Sequence, residues 1–286
     1  MRVLRTQSEA RAAVASARRS GAAVALVPTL GALHDGHREL IRAARELGDV
    51  VALSIFVNPL QFGPHDDFAA YPRDEDTDLA VAADEGCDLV FAPAAEEMRM
   101  EATTTSIAVG RLGDVLEGAE RPGHFAGVCV VVAKLLNILS PDALVLGQKD
   151  AQQNAVLRRM ATDLSFGCEL VICPTVRAPD GVALSSRNAY LSDEERTQAT
   201  GLYRALAAGR ARYRRDGNLV AAEDAMHDVL ASAGIVPDYA RAVDPVTFDA
   251  PEGRAQVLLA VAGRVGPARL IDNLLVDPPD VVPAEA

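Results

Sequence analysis

The chain has 286 residues, of which 49% are hydrophobic and 24% charged, with a formal net charge of −12. That length can bury a large core, and that composition excludes an intrinsically disordered chain. The acidic balance argues against nucleic acid or an anionic membrane surface as the main partner, while leaving open a locally built phosphate site.

The opening stretch, MRVLRTQSEARAAVASARRSG, lacks the unbroken apolar core of a signal peptide. No apolar run reaches the length of a membrane span, and the longest, Val128 to Leu139, is interrupted by Lys134 and Asn137. Cys87, Cys129, Cys168 and Cys173 fall in or beside apolar runs with no C-x-x-C pair. They read as buried thiols of a cytoplasmic protein, not as disulfides or zinc ligands.

A helical pattern at Ser8–Ser20 precedes a strand at Val24–Pro28, and a helix at His37–Leu47 leads to a strand at Val50–Val57. A helix at Asp74–Glu85 follows, then a strand at Leu89–Ala92 and a helix at Gly127–Leu139. A strand at Leu144–Leu146, a helix at Gln152–Leu164 and a strand at Glu169–Cys173 close the series. This alternation predicts a Rossmann-like α/β fold, a parallel sheet with helices on both faces. Past residue 176 the pattern turns α+β. Ser192-Asp-Glu-Glu195 is a capping box opening a long helix toward Arg215, and a Gly217-Asn218 break separates it from a helix at Val220–Ser232. Strand-like runs follow at Tyr239–Val243, Gln256–Ala262 and Ala268–Val276. We therefore expect a larger α/β domain over 1–176 and a smaller C-terminal α+β domain over 177–286, the last ten residues, DPPDVVPAEA, forming a frayed tail.

Open parallel sheets place ligands beyond the carboxyl ends of their strands, so the segments after each strand are where a site is sought. After the first comes PTLGALHDGH, in which Gly31 and Gly36 permit tight turns and His34 and His37 stand where a helix begins. A helix start favours phosphate, and two imidazoles there can donate to phosphate oxygens as charge builds. Taken alone, the pair reads equally as surface histidines; a metal site would need a third ligand, and none is evident. After the second strand, Asn58 and Gln61 in FVNPLQF are neutral amides suited to orienting a small polar substrate, although Asn-Pro is also a common turn. After the strand at Leu144–Leu146, Gly147-Gln148-Lys149-Asp150 suits phosphate contact by Lys149 and a ribose hydroxyl contact by Asp150, without the frame of a Walker motif. Leu184-Ser185-Ser186-Arg187-Asn188 supplies hydroxyls and a guanidinium for a phosphate clamp, or an ordinary polar turn.

Together these segments resemble the pantothenate synthetase family of the nucleotidylyltransferase superfamily, which shares features with class I aminoacyl-tRNA synthetases. The family's P-T-M-G-A-L-H-x-G-H appears as PTLGALHDGH, F-V-N-P-M-Q-F as FVNPLQF, and R-P-x-H-F-x-G-V as Arg121-Pro-Gly-His124-Phe-Ala-Gly-Val128. G-E-K-D-[FY]-Q-Q appears as GQKDAQQ, while S-S-R-N is kept at Ser185–Asn188 and A-R-L-I-D-N at Ala268–Asn273. The resemblance implies condensation of pantoate with β-alanine at the expense of ATP, through a pantoyl adenylate, releasing AMP and pyrophosphate. It implies His37, His34, Lys149 and Arg187 as catalytic residues, His37 as the proton donor. The ATP site would comprise Leu30, Gly31, Ala32, Leu33, His34, Asp35, Gly36, His37, Gly147, Gln148, Lys149, Asp150, Val176, Leu184, Ser185, Ser186 and Arg187, with the C-terminal domain as its lid. Gln61, Gln153 and Asn58 would bind the acid substrate. Mg²⁺ would ride on the ATP phosphates with no metal ligand from the protein. Arg121 and His124 would lie on a mobile loop that closes the site against water. A cytoplasmic homodimer is implied, with neither nucleic acid nor membrane as partner.

The departures fall at Leu30 and Leu60, each replacing a Met of the family pattern, at Gln148, replacing Glu, and at Ala151, replacing an aromatic residue. The first two conserve apolar volume. Gln148 removes a negative charge beside Lys149, and Ala151 leaves room beside the acid pocket. They keep two alternatives open: a diverged paralogue adenylating another small hydroxy acid, and a nucleotide-binding protein with reduced turnover.

Overall fold

A computed structural model of the chain describes residues 1–64, 66–100, 102–252 and 256–278. Two units are distinguished by their internal contacts: Met1–Gln148 with Gln153–Val176, and Lys149–Gln152 with the chain from Arg177 onward. Of the expected tail, residues 279–286 lie outside the described residues.

The first unit contains β1 (Arg2–Leu4), α1 (Gln7–Arg19), β2 (Val24–Thr29), α2 (Asp35–Leu47), β3 (Val50–Ile55), α3 (Glu75–Asp84) and β4 (Leu89–Phe91). It continues through α4 (Ala95–Met98), α5 (Glu117–Glu120), α6 (His124–Leu139), β5 (Ala143–Gly147), α7 (Ala151–Asp163, whose first two residues group with the second unit) and β6 (Glu169–Cys173). The strands form a six-stranded sheet in the order β1-β4-β3-β2-β5-β6, with every pairing parallel. Side chains alternate across a strand, so each strand feeds two cores. Val24 and Leu26 join α1, α6 and α7 in one core, while Ala25 and Val27 join α2 and α3 in the other. The α/β layering expected from the alternation is thus present, with helices on both faces. Arg38 and Arg42 of α2 both pair with Glu85 at the end of α3, at 2.7 and 2.8 Å, which ties those two helices together.

Several elements differ from expectation. β1 buries only Leu4, too little to show alternation, and α4 and α5 are single turns without a period. α6 begins at His124 because Gly123, at φ +83°, turns the chain into the helix before the dense apolar run starts.

In the second unit, α8 (Asp193–Asp216) and α9 (Leu219–Ser232) pack on the antiparallel sheet of β7 (Pro237–Val243), β8 (Val257–Val265) and β9 (Ala268–Val276). The capping box is formed: the Ser192 hydroxyl accepts from the Glu195 amide, and the Glu195 carboxylate accepts from the Ser192 amide. Leu202, Leu206 and Tyr213 of α8 meet Met226 and Leu230 of α9 over Leu259 and Val261 of β8.

All four cysteines are free thiols. Burial pushes Cys87 up to about 12 and Cys129 up to about 11, whereas Cys168 and Cys173 are only half-buried, contrary to the expectation that all four are enclosed. Among the described residues no helix is long and apolar enough to cross a membrane.

Candidate active site

The sheet order fixes where a site can form. From β2 the chain moves outward to β3 and β4, then returns to place β5 and β6 on the other flank. The crevice beyond the carboxyl ends of β2 and β5 is therefore the topological switch point. Out of β2 runs the Thr29–His37 segment, and out of β5 runs Gly147-Gln148.

The segment after β2 is held from beneath. Thr29 Oγ1 donates to the Ser54 carbonyl at 2.7 Å and accepts from the Gly31 amide at 3.2 Å. Gly31 (φ +86°) and Ala32 (φ +52°) are both left-handed, an uncommon state for Ala. A carboxylate holds that turn in place: Asp78 of α3 accepts from the Ala32 amide at 2.9 Å and from the Leu33 amide at 2.7 Å. Asp78 is 2% exposed, and a Cβ added at Gly31 would lie 2.7 Å from its Oδ2, so the tight approach requires glycine. Burial raises the Asp78 carboxyl above its usual range, against the pull of the two amides.

His34 and His37 form a capping box on α2. The His34 Nδ1 accepts from the Gly36 amide at 3.1 Å, and the His37 Nδ1 accepts from the His34 amide at 3.2 Å. An Nδ1 that accepts carries no proton, so each neutral ring bears its hydrogen on Nε2. The rings lie together, centroids 4.1 Å apart. Two imidazole rings thus stand at the positive dipole end of α2.

The segment after β3 makes a 3-10 turn, Pro59–Gln61. Here the structure corrects one expectation. Asn58 is 0% exposed and its amide is committed internally: Nδ2 donates to Gln61 Oε1 and to the Gly127 carbonyl, both at 3.1 Å, while Oδ1 accepts from the Leu60 amide at 3.2 Å. Asn58 supports the turn and has no face left for a substrate. Because Gln61 Oε1 accepts from Asn58, the Nε2 hydrogens are the donors that Gln61 can offer.

Arg121 ends α5 and His124 opens α6, and both dock on this turn. The Gln61 carbonyl accepts from His124 Nδ1 at 2.8 Å and from Arg121 NH2 at 3.2 Å, and Arg121 pairs with Asp66 at 2.8 Å. With its Nδ1 proton donated to a carbonyl, His124 faces Arg121 NH1 with an accepting Nε2 at 3.2 Å. Burial, reinforced by the Arg121 charge, pushes the imidazole down to about 4.

At the end of β5, a Cβ added to Gly147 would meet nothing within 4 Å, so packing does not demand glycine there, and its side is open. Its carbonyl accepts from Asn154 Nδ2 at 2.9 Å. Gln153 and Val176, also in the first unit, are half-buried.

The second unit gathers the other expected phosphate contacts along β9. Lys149 pairs with Asp150 at 3.3 Å, and its carbonyl accepts from Asn273 Nδ2 of β9 at 2.8 Å. The 3-10 turn Ser186–Tyr190 packs on the same strand, and the Ser185 hydroxyl caps it by accepting from the Arg187 amide at 3.3 Å. Leu184, Ser185, Ser186 and Arg187 are all half-buried. Beside them Arg177 makes a two-pronged pair with Asp272 at 2.6 and 2.9 Å and stacks on Tyr203 with its guanidinium 4.2 Å from the ring centre.

Asp78, Asp272 and Asn273 therefore shape the expected site segments, yet residue-by-residue reading assigned none of them a role. Their partners lie far away in sequence, and only the A-R-L-I-D-N string marked the latter two. Among the described residues no group of three or more His, Cys, Asp or Glu side chains is placed to hold a metal ion.

The sequence profile of the family described as pantoate-beta-alanine ligase matches residues 2–275. The chain is 49% identical over 277 residues to a pantothenate synthetase of Acidothermus cellulolyticus, covering 95% of this chain and 90% of that protein. It is 48% identical over 280 residues to one from Moorella thermoacetica, covering 97% and 99%. A crystal structure of pantothenate synthetase from Thermus thermophilus superposes with a TM-score of 0.92 at 46% identity, over 97% of this chain and 100% of that one. The pantoate-beta-alanine ligase of Francisella tularensis, complexed with beta-gamma ATP and β-alanine, gives 0.80 at 31% identity over 96% and 97%.

Proposed function

The chain belongs to the pantoate-beta-alanine ligase family, and we propose that its reaction is driven by alignment and charge stabilisation at the switch point, without a general base for the first step. The activity is the ATP-dependent joining of pantoate to β-alanine. A carboxylate is already ionised at neutral pH, so the pantoate oxygen attacks the α-phosphorus directly. The bond from that phosphorus to the bridging oxygen breaks and pyrophosphate leaves. The β-alanine nitrogen, as its neutral amine, then attacks the acyl carbon of pantoyl adenylate, AMP departs with the bonding electrons, and the proton released from nitrogen passes to water.

One observation carries the assignment of roles. The capping box puts the hydrogen of each neutral ring of His34 and His37 on Nε2, at the start of α2 and beyond the carboxyl end of β2. Such donors stabilise the growing charge on transferring and leaving phosphate oxygens. The segment from Leu30 to His37, with Gly147 and Gln148, binds ATP, and the open side of Gly147 supports close approach of the nucleotide. Lys149 and Arg187 add positive charge to the phosphates, and Asp150, Val176, Leu184, Ser185 and Ser186 complete the nucleotide contacts. Gln61, oriented by Asn58 to donate through Nε2, holds the pantoate oxygens together with Gln153. Mg²⁺ enters with ATP on its phosphates and, when bound, neutralises part of their charge. A cytoplasmic location without nucleic-acid or membrane partners belongs to the same proposal, supported by the four free thiols and the acidic charge, and a homodimer is part of it on the family resemblance alone.

ATP–pyrophosphate exchange tests this reading. Exchange should appear with pantoate alone and not with other small hydroxy acids. Absence of pantoate-dependent exchange would overturn it. Identity of 49% over 95% of the chain does not favour a diverged acid specificity, despite Gln148 and Ala151.

A further inference from the structure

The Arg121-Pro-Gly-His124-Phe-Ala-Gly127 string has no part in the chemistry above, yet nearly every polar residue in it reaches one short turn. The Gln61 carbonyl takes the His124 Nδ1–H at 2.8 Å and an Arg121 hydrogen at 3.2 Å. Gly127 presses on the same turn: a Cβ there would lie 2.2 Å from the Leu60 carbonyl oxygen and 2.7 Å from the Gln61 nitrogen. The Gly127 carbonyl accepts from Asn58, whose Nδ2 also fixes the Gln61 side chain. Asp66 anchors Arg121 from the far side at 2.8 Å and folds the following loop by accepting from the Gly63 amide at 2.9 Å. Gln61 is thus held at its carbonyl by the His124 and Arg121 donors, at its nitrogen by the closeness of α6, and at its amide by Asn58.

A turn of three residues has few contacts of its own, and its preferred place is set by what surrounds it. The Gln61 Nε2 donors have to face a small acid within a few tenths of an ångström to be of use. We propose that Arg121 and His124 are positioning residues that fix Gln61 for the acid substrate, and that they act on pantoate binding and not on ATP. This inference rests on the reading of Gln61 as a pantoate ligand. His124 acts as a neutral donor–acceptor relay: Nδ1–H to the carbonyl, Nε2 from the guanidinium. Its low basicity, held by burial beside Arg121, keeps that polarity fixed across neutral pH.

The test is a kinetic split in pantoate-dependent ATP–pyrophosphate exchange. His124→Ala should raise KM for pantoate roughly tenfold or more, the scale of one buried hydrogen bond left unmade, with KM for ATP within about twofold. His124→Asn keeps a donor for the Gln61 carbonyl and an acceptor for Arg121, and should recover most of the loss. Arg121→Gln should shift the same constant in the same direction, and it carries the test alone if His124→Ala fails to fold. Gln61→Ala is the control for the underlying reading. If Gln61→Ala raises KM for pantoate while the folded His124 and Arg121 variants leave it unchanged, or raise KM for ATP equally, the positioning role is wrong. If Gln61→Ala itself leaves KM for pantoate unchanged, the pantoate assignment fails and takes this inference with it.

Discussion

At the scale of single residues, the two histidines of the β2–α2 turn show how a structural task can prepare a chemical one. A Ser or Asp at the start of a helix caps it through an oxygen and ends there. A histidine that caps through Nδ1 still carries an N–H on its other nitrogen, and here both members of the box do so. The H-x-G-H spacing alone left surface histidines and a phosphate site equally open, because it says nothing of which ring nitrogen is occupied. Replacing His37 with Ala removes a cap and a donor together. A lost cap costs about 1 kcal/mol of stability. A lost transition-state donor raises the barrier by about 2.7–4 kcal/mol. Exchange measured on folded His37→Ala protein should therefore fall roughly a hundredfold to a thousandfold. A fall of less than tenfold would reduce His37 to its capping role.

At the scale of elements, α3 appears in the sequence as an ordinary helix, and its Asp78 as one acid among several in its first turn. Nothing local distinguishes it, since its partners are the Ala32 and Leu33 amides in a different βα turn. Its raised pKa carries a clear consequence. A carboxyl whose folded pKa lies above its unfolded value loses stability when it ionises, so at neutral pH the Asp78 charge works against folding. Asp78→Asn removes that cost but also replaces one acceptor with an amide group that faces a backbone N–H. The two effects oppose each other, so the melting temperature of the variant should change little, while exchange drops roughly tenfold to a hundredfold as the turn carrying His34 loosens. Unchanged exchange would show that the left-handed Gly31–Ala32 turn holds without the carboxylate. The same contrast explains what the sequence reveals about elements. β2, β3, β5 and β6 were legible because apolar runs of that length bounded by turns can do little else. β1 and the single turns α4 and α5 bury too few side chains to leave a period. Asn58 was misread because its isolated Asn-Pro pattern cannot show that Gly127, far along the chain, takes one of its hydrogens.

For the whole molecule, strand order mattered most and was least accessible to sequence reading. Alternation gives a parallel sheet, but only the pairing of β2 with both β3 and β5 makes their carboxyl ends a switch point, with Thr29 and Gly147 at its edges. Burial within that architecture also sets how the protein responds to acid. His124 has a folded pKa of about 4 against an ordinary value of 6.5. A base whose pKa is lowered by folding contributes stability that is complete above pH 6.5 and is lost as pH falls from there toward 4. The shift corresponds to roughly 3 kcal/mol, a large part of a typical folding free energy. Asp78 and Asp272, both raised by burial, act in the opposite sense, because protonation relieves the cost of their charge. A wild-type titration mixes these contributions, whereas a comparison with His124→Asn separates them, since both proteins keep the two aspartates. Urea midpoints measured at pH 7, 5.5 and 4 should fall more steeply for the wild type, and the two curves should converge toward pH 4. Parallel curves would mean that His124 takes up its proton without disturbing the Gln61 carbonyl or Arg121, and that the acid response of the fold originates elsewhere.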